Sequence, residues 1–164
     1  MYPPPPKLQP ALWGGAFIGI VSSLPVVGWL NACCCLWVLT GGALAIWLAQ
    51  SNHPYPVTAA DGALTGLLAG IFGGLIAIPL NLMMEGWQRE LVLRFMDSAK
   101  ADIPPEFRSL LENRGSAMLT IANGLFVTVV YAIFAMLGGL LGVALFKKKD
   151  TPPPPGTVEV LPPL

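Results

Sequence analysis

Apolar positions dominate three long stretches of this chain, and charge is confined to the gaps between them. No Asp, Glu, Lys or Arg occurs between Lys7 and Asp61, between Asp61 and Glu85, or between Arg114 and Lys147. A bilayer-spanning helix needs about 20 predominantly apolar residues, so these stretches have room for four crossings. The pattern predicts an all-α integral membrane protein with four transmembrane helices, over residues 11–27, 32–49, 59–84 and 117–146. Only four residues separate the first two spans, so they form one antiparallel hairpin. The last two form a second hairpin, enlarged by a polar insert at 85–115. The first run is about twice the length of a signal-peptide core and follows a single lysine, which favours a retained span over a cleaved leader.

The boundaries carry their own signals. Trp29 at the first turn, with Trp13 and Trp47 towards the opposite ends, suits an aromatic belt at headgroup level. Asn52-His53-Pro54-Tyr55-Pro56 breaks the helix after the second span. Thr58-Ala59-Ala60-Asp61 reads as a variant capping box: the Thr58 hydroxyl accepts from the Asp61 amide, and Asp61 reaches back while complementing the positive helix end. Residues 1–10, with Pro3 to Pro6, and 150–164, with Pro152 to Pro155, are proline-rich tails expected to be extended rather than packed.

Glycine spacing predicts how the spans meet. Gly62, Gly66, Gly70 and Gly74 recur at four-residue steps, which on a helix makes one smooth groove. Gly138, Gly139 and Gly142 repeat the idea in the fourth span, Gly15 and Gly19 in the first, and Gly41 and Gly42 in the second. Lipid supplies no hydrophobic force between helices, so close backbone approach through small residues takes over much of the packing. The grooves serve an intramolecular bundle or self-association of copies. A faint internal echo, Leu39-Thr40-Gly41-Gly42-Ala43-Leu44 against Met136-Leu137-Gly138-Gly139-Leu140-Leu141, raises the idea of two duplicated hairpins.

The insert holds eleven of the 18 charged residues between Glu85 and Arg114, five basic and six acidic. Trp87, Leu91 and Phe95 fall at four-residue spacing on an expected amphipathic helix from Glu85 to Lys100, a face for docking on a partner or the membrane surface. Glu85 with Arg89, and Glu90 with Arg94, are favourable pairs four apart. This helix could continue the third span, bent at Pro79. Pro104 and Pro105 then interrupt it, and a second short helix is expected over 106–113. Basic residues are nearly balanced across the two sides. The lysines at 147–149 abut the fourth span, which favours cytoplasmic termini and, in a bacterium, residence in the inner membrane.

Composition supports the membrane class, with 54% hydrophobic and 11% charged residues and zero formal net charge. Neutral charge and a mixed-sign insert leave no basic patch for nucleic acid. The three cysteines, Cys33, Cys34 and Cys35, are contiguous, so they form no disulfide framework, and adjacent helical positions chelate metal poorly. His53 is the sole histidine. No catalytic, metal or cofactor-binding set emerges, and a Ser–His pairing of Ser22 or Ser23 with His53 is the nearest approach to one. The expected function is a non-enzymatic structural or accessory subunit whose partners are membrane lipid and another membrane subunit or a further copy of itself. The alternative is a homo-oligomeric channel or carrier for a small uncharged solute, with a polar pathway lined by Ser22, Ser23, Asn81 and Asn123.

Overall fold

The computed structural model describes residues 5–24, 27–28, 31, 35–53, 56–98, 104–106, 109 and 117–146. Its regular structure is entirely helical: α1 (Leu8–Ser23), α2 (Leu36–Ser51), α3 (Ala59–Ser98) and α4 (Ala117–Phe146). Pro25, Trp29, Cys33, Cys34, the lysines at 147–149, the C-terminal proline tail and most of the helix expected over 106–113 lie outside the described residues.

Two of the four helices, α3 and α4, are long and apolar enough to cross a membrane. They contain 40 and 30 residues, or about 60 and 45 Å at the helical rise. The other two are shorter than the four-span expectation requires. At 16 residues each, α1 and α2 reach about 24 Å, against a hydrocarbon layer about 30 Å thick. Local backbone preferences account for the shortening. Leu24 is extended (φ −73°, ψ 127°), as the residue before a proline is driven to be, so α1 stops at Ser23. Cys35 takes a left-handed conformation (φ 47°), which a non-glycine residue adopts only at a break, so α2 starts at Leu36. At its other end α1 begins three residues earlier than expected. Pro10 is accommodated in the first turn, where its missing N–H has no intrahelical partner to lose.

The amphipathic segment expected after the third span continues that span as one helix, as the sequence allowed. Helix α3 runs through Pro79 without interruption from Ala59 to Ser98. Its start is capped by Thr58, whose hydroxyl accepts from the Asp61 amide at 3.2 Å and donates to Asp61 Oδ2 at 2.6 Å. Asp61 Oδ1 turns instead to Lys7 Nζ, 2.7 Å away. Lys7 and Asp61 are the only charged residues among the first 84 positions, and they meet each other. The turn before α3 is held by Gln50, whose side-chain carbonyl accepts from the buried Val57 amide at 2.8 Å.

Small residues set the packing. A Cβ placed on Gly74 would sit 2.6 Å from Thr128 Cα, one on Gly70 2.5 Å from Ala132 Cα, and one on Gly66 3.1 Å from Gly139 Cα. Residue numbers fall on α4 as they rise on α3, so the two helices are antiparallel and in backbone contact for most of their shared length. The groove on α3 is therefore occupied by α4 of the same chain and is not open to a second copy. Gly15 and Gly19 bring α1 parallel to α3, against the carbonyls of Ala69 and Gly73, each 2.9 Å from a notional Cβ. Gly142 of α4 meets Ala43 Cα of the parallel α2 at 3.0 Å, and Gly14 meets Gly41 O of the antiparallel α2 at 2.7 Å. The helices close a ring in the order α1, α3, α4, α2, with α2 and α3 also touching across it.

The resulting core contains little bulk. Its fully buried members are mostly Ala11, Ala45, Ala69 and Ala135, and the largest are Ile18, Ile46, Val38 and Thr65. Large apolar side chains point outwards: Trp13, Ile20, Trp47, Leu64, Leu125, Phe126 and Leu145 are all exposed.

This geometry separates the glycines by consequence. Gly70→Leu has no room and should destabilise the bundle by about 3 kcal/mol or more, read as a loss of helical signal on heating in detergent. Gly86 has nothing within 4 Å of a notional Cβ. Gly86→Ala should leave the fold intact and stabilise it by about 0.5–1 kcal/mol through helix propensity.

Candidate functional site

Because α1 stops at Ser23 while α3 continues, the end of α1 lies beside a bare stretch of α3. Asn81 and Gln88 are seven residues apart and Leu91 and Val92 follow three and four later, so all four share one face of α3. They close a cleft of ≈ 190 Å³ with Ser22, Ser23, Leu24 and Gly28. Gly28 lets the connecting chain come close, since a Cβ there would lie 2.6 Å from Ser22 O.

Amide and hydroxyl groups organise this cleft. The Gln88 Nε2 group donates to Ser23 O at 3.3 Å and to Asn81 Oδ1 at 3.2 Å. Asn81 Nδ2 donates to Ala77 O at 2.8 Å, and Ser23 Oγ donates to Gly19 O at 2.7 Å. Ser22 Oγ accepts from Asn31 Nδ2 at 2.7 Å. Asn31 also holds the connection between α1 and α2 in place. Its Nδ2 lies 3.4 Å from the Tyr131 hydroxyl of α4, and its Oδ1 accepts from the Trp37 amide at 3.1 Å. The Trp37 indole N–H donates to Val27 O at 2.8 Å, and its ring meets Phe17 edge-on at 6.3 Å.

Three of the four residues expected along a polar pathway, Ser22, Ser23 and Asn81, come together here. Asn123 does not: it is exposed on α4 and does not line the cleft. Gln88 escaped the sequence reading because it sits in the charged insert, where a polar residue reads as surface. Its seven-residue offset from Asn81 was the available signal.

The expected docking residues divide. Trp87 and Phe95 are 55% and 60% exposed, whereas Leu91 is half-buried and faces the cleft. The packing glycines lie between helices. Gly62, Gly66, Gly70 and Gly74 face α4, Gly138 and Gly142 face α2, and Gly139 faces α3. A Ser–His pairing is ruled out by the topology. His53 follows the C-terminus of α2, which lies near the start of α1, while Ser22 and Ser23 are at the end of α1.

Asn31→Ala removes the hub that joins α1, α2 and α4 and strands its partners. It should lower stability by about 1–3 kcal/mol, measured as a shift of the unfolding midpoint, with little change in total helix content.

No protein-family model, no curated protein and no solved structure gives a significant match to this chain.

Proposed function

We propose that this chain is an integral membrane protein acting as a non-enzymatic structural or accessory subunit. The outward placement of its large apolar side chains supports the membrane reading. In water such a surface is an association or aggregation liability, whereas lipid solvates it and leaves the small residues free to pack inside. Helices α3 and α4 supply full-length crossings. The shorter α1 and α2 enter the same layer as an antiparallel pair packed against those two crossings, so that both termini lie on one side. We place those termini in the cytoplasm.

The subunit role rests on one observation, the exposure of the far end of α3 among the described residues. No α3 residue beyond Ala77 is fully buried, yet the helix continues to Ser98 and displays Trp87 and Phe95. Exposed aromatic residues on such a stretch of helix are suited to anchor a partner, since aromatic anchors carry a disproportionate share of interface energy. The charges around them, from Glu85 to Asp97, are of mixed sign, which suits a protein surface better than an anionic lipid patch.

Extraction in a mild detergent followed by native mass spectrometry tests this reading. The expected result is a second protein in fixed ratio, lost in the double variant Trp87→Ala/Phe95→Ala while the chain itself stays folded. A homo-oligomer of unchanged mass in wild type and variant would overturn the subunit reading in favour of a channel or carrier.

A further inference from the structure

The cleft at the end of α1 has a chemistry that the docking face of α3 does not use. We propose that it is a binding site for a small uncharged solute carrying adjacent hydrogen-bond donor and acceptor groups, of the amide or polyol class.

Size sets the first limit. A cleft of ≈ 190 Å³ corresponds to about six water-sized groups, well below the range of drug-sized ligand sites. Charge sets the second. The lining comprises Ser22, Ser23, Leu24, Gly28, Asn81, Gln88, Leu91 and Val92, with no ionisable side chain among them. An ion entering such a site gives up hydration with no counter-charge to replace it, whereas a neutral solute only exchanges hydrogen bonds.

Hydrogen bonding sets the third limit, because the lining is oriented but not saturated. Both hydrogens of Gln88 Nε2 are committed, to Ser23 O and Asn81 Oδ1. That fixes the amide and leaves Gln88 Oε1 as an acceptor with no donor among the described residues. Ser22 Oγ already accepts from Asn31, so its own hydrogen is available as a donor. One acceptor and one donor held on facing elements, with Leu24, Leu91 and Val92 as apolar walls, match a solute that offers the complementary pair. Ser22 and Gln88 are both half-buried, so an analogue lacking the complementary polar group loses hydrogen bonds to partly desolvated partners and binds more weakly.

Saturation-transfer NMR on the full chain in detergent micelles, with acetamide and glycerol as probes, tests the assignment. Both should show saturable transfer and compete with each other. Gln88→Leu should weaken binding at least about tenfold. Val92→Trp, which fills the cleft without touching a polar group, should abolish it, and Asn123→Leu should leave it unchanged. If Gln88→Leu does not fold, Ser22→Ala decides the same point by removing only the hydroxyl. No saturable transfer in the wild type, or transfer that survives Val92→Trp, would overturn the proposal. Neither readout depends on Trp87 or Phe95, so loss of a partner protein and loss of solute binding are distinguishable.

Discussion

Backbone contact between α3 and α4 is the condition under which the rest of the chain is arranged. Two helices approach this closely only where Cβ atoms are missing along the whole seam, and the seam here runs from Gly62 opposite Gly139 and Val143 to Gly74 opposite Thr128. Once that pair is fixed, its two flanks define where α1 and α2 can lie. The first settles along Ala69 and Gly73, and the second against Ala135, Gly138 and Gly142. Adhesion of this kind comes from dispersion between many well-matched atoms rather than from withdrawing bulky side chains from water. It is short-ranged, so one added branch anywhere on the seam is felt along all of it.

An all-helical architecture was readable from the spacing of charges, and the α3 seam from glycines repeating at one helical face. What escaped were relations between distant residues. Lys7 and Asp61 each look like an isolated charge in the sequence, yet they pair at 2.7 Å because α1 and α3 run parallel from the same end. Hydropathy alone also misplaced the inner ends of α1 and α2, expected at residues 27 and 32 and found at Ser23 and Leu36. An apolar run continues through residues 24–35, and the extended Leu24 before a proline ends α1 inside it while the left-handed Cys35 precedes the start of α2.

The cleft was half legible for a related reason. Ser22, Ser23 and Asn81 stand out as polar residues in apolar surroundings, which is a local signal. Gln88 does not, because its neighbours are Glu85, Arg89 and Glu90. Only the knowledge that α3 continues as one helix places it two turns beyond Asn81 on the same face. Asn123 shows the converse: a polar residue within an apolar run is exposed when its helix face has no neighbour among the described residues. Membrane-like composition hides that distinction, since both faces of such a helix are apolar and periodicity is weak.

The continuity of α3 has a mechanical consequence. From Pro79 to Ser98 the helix forms an arm of about 28 Å, and its pivot lacks one backbone hydrogen bond because proline has no N–H to give. A change of about 10° in helix direction at that point would carry the far end through about 5 Å. Of the cleft residues, Asn81 sits close to the pivot and Gln88 about halfway along the arm, and Phe95 rides near the tip. Helix α3 thus has the geometry of a lever, with a displacement at Gln88, where the end of α1 is held, appearing about twice as large at Phe95.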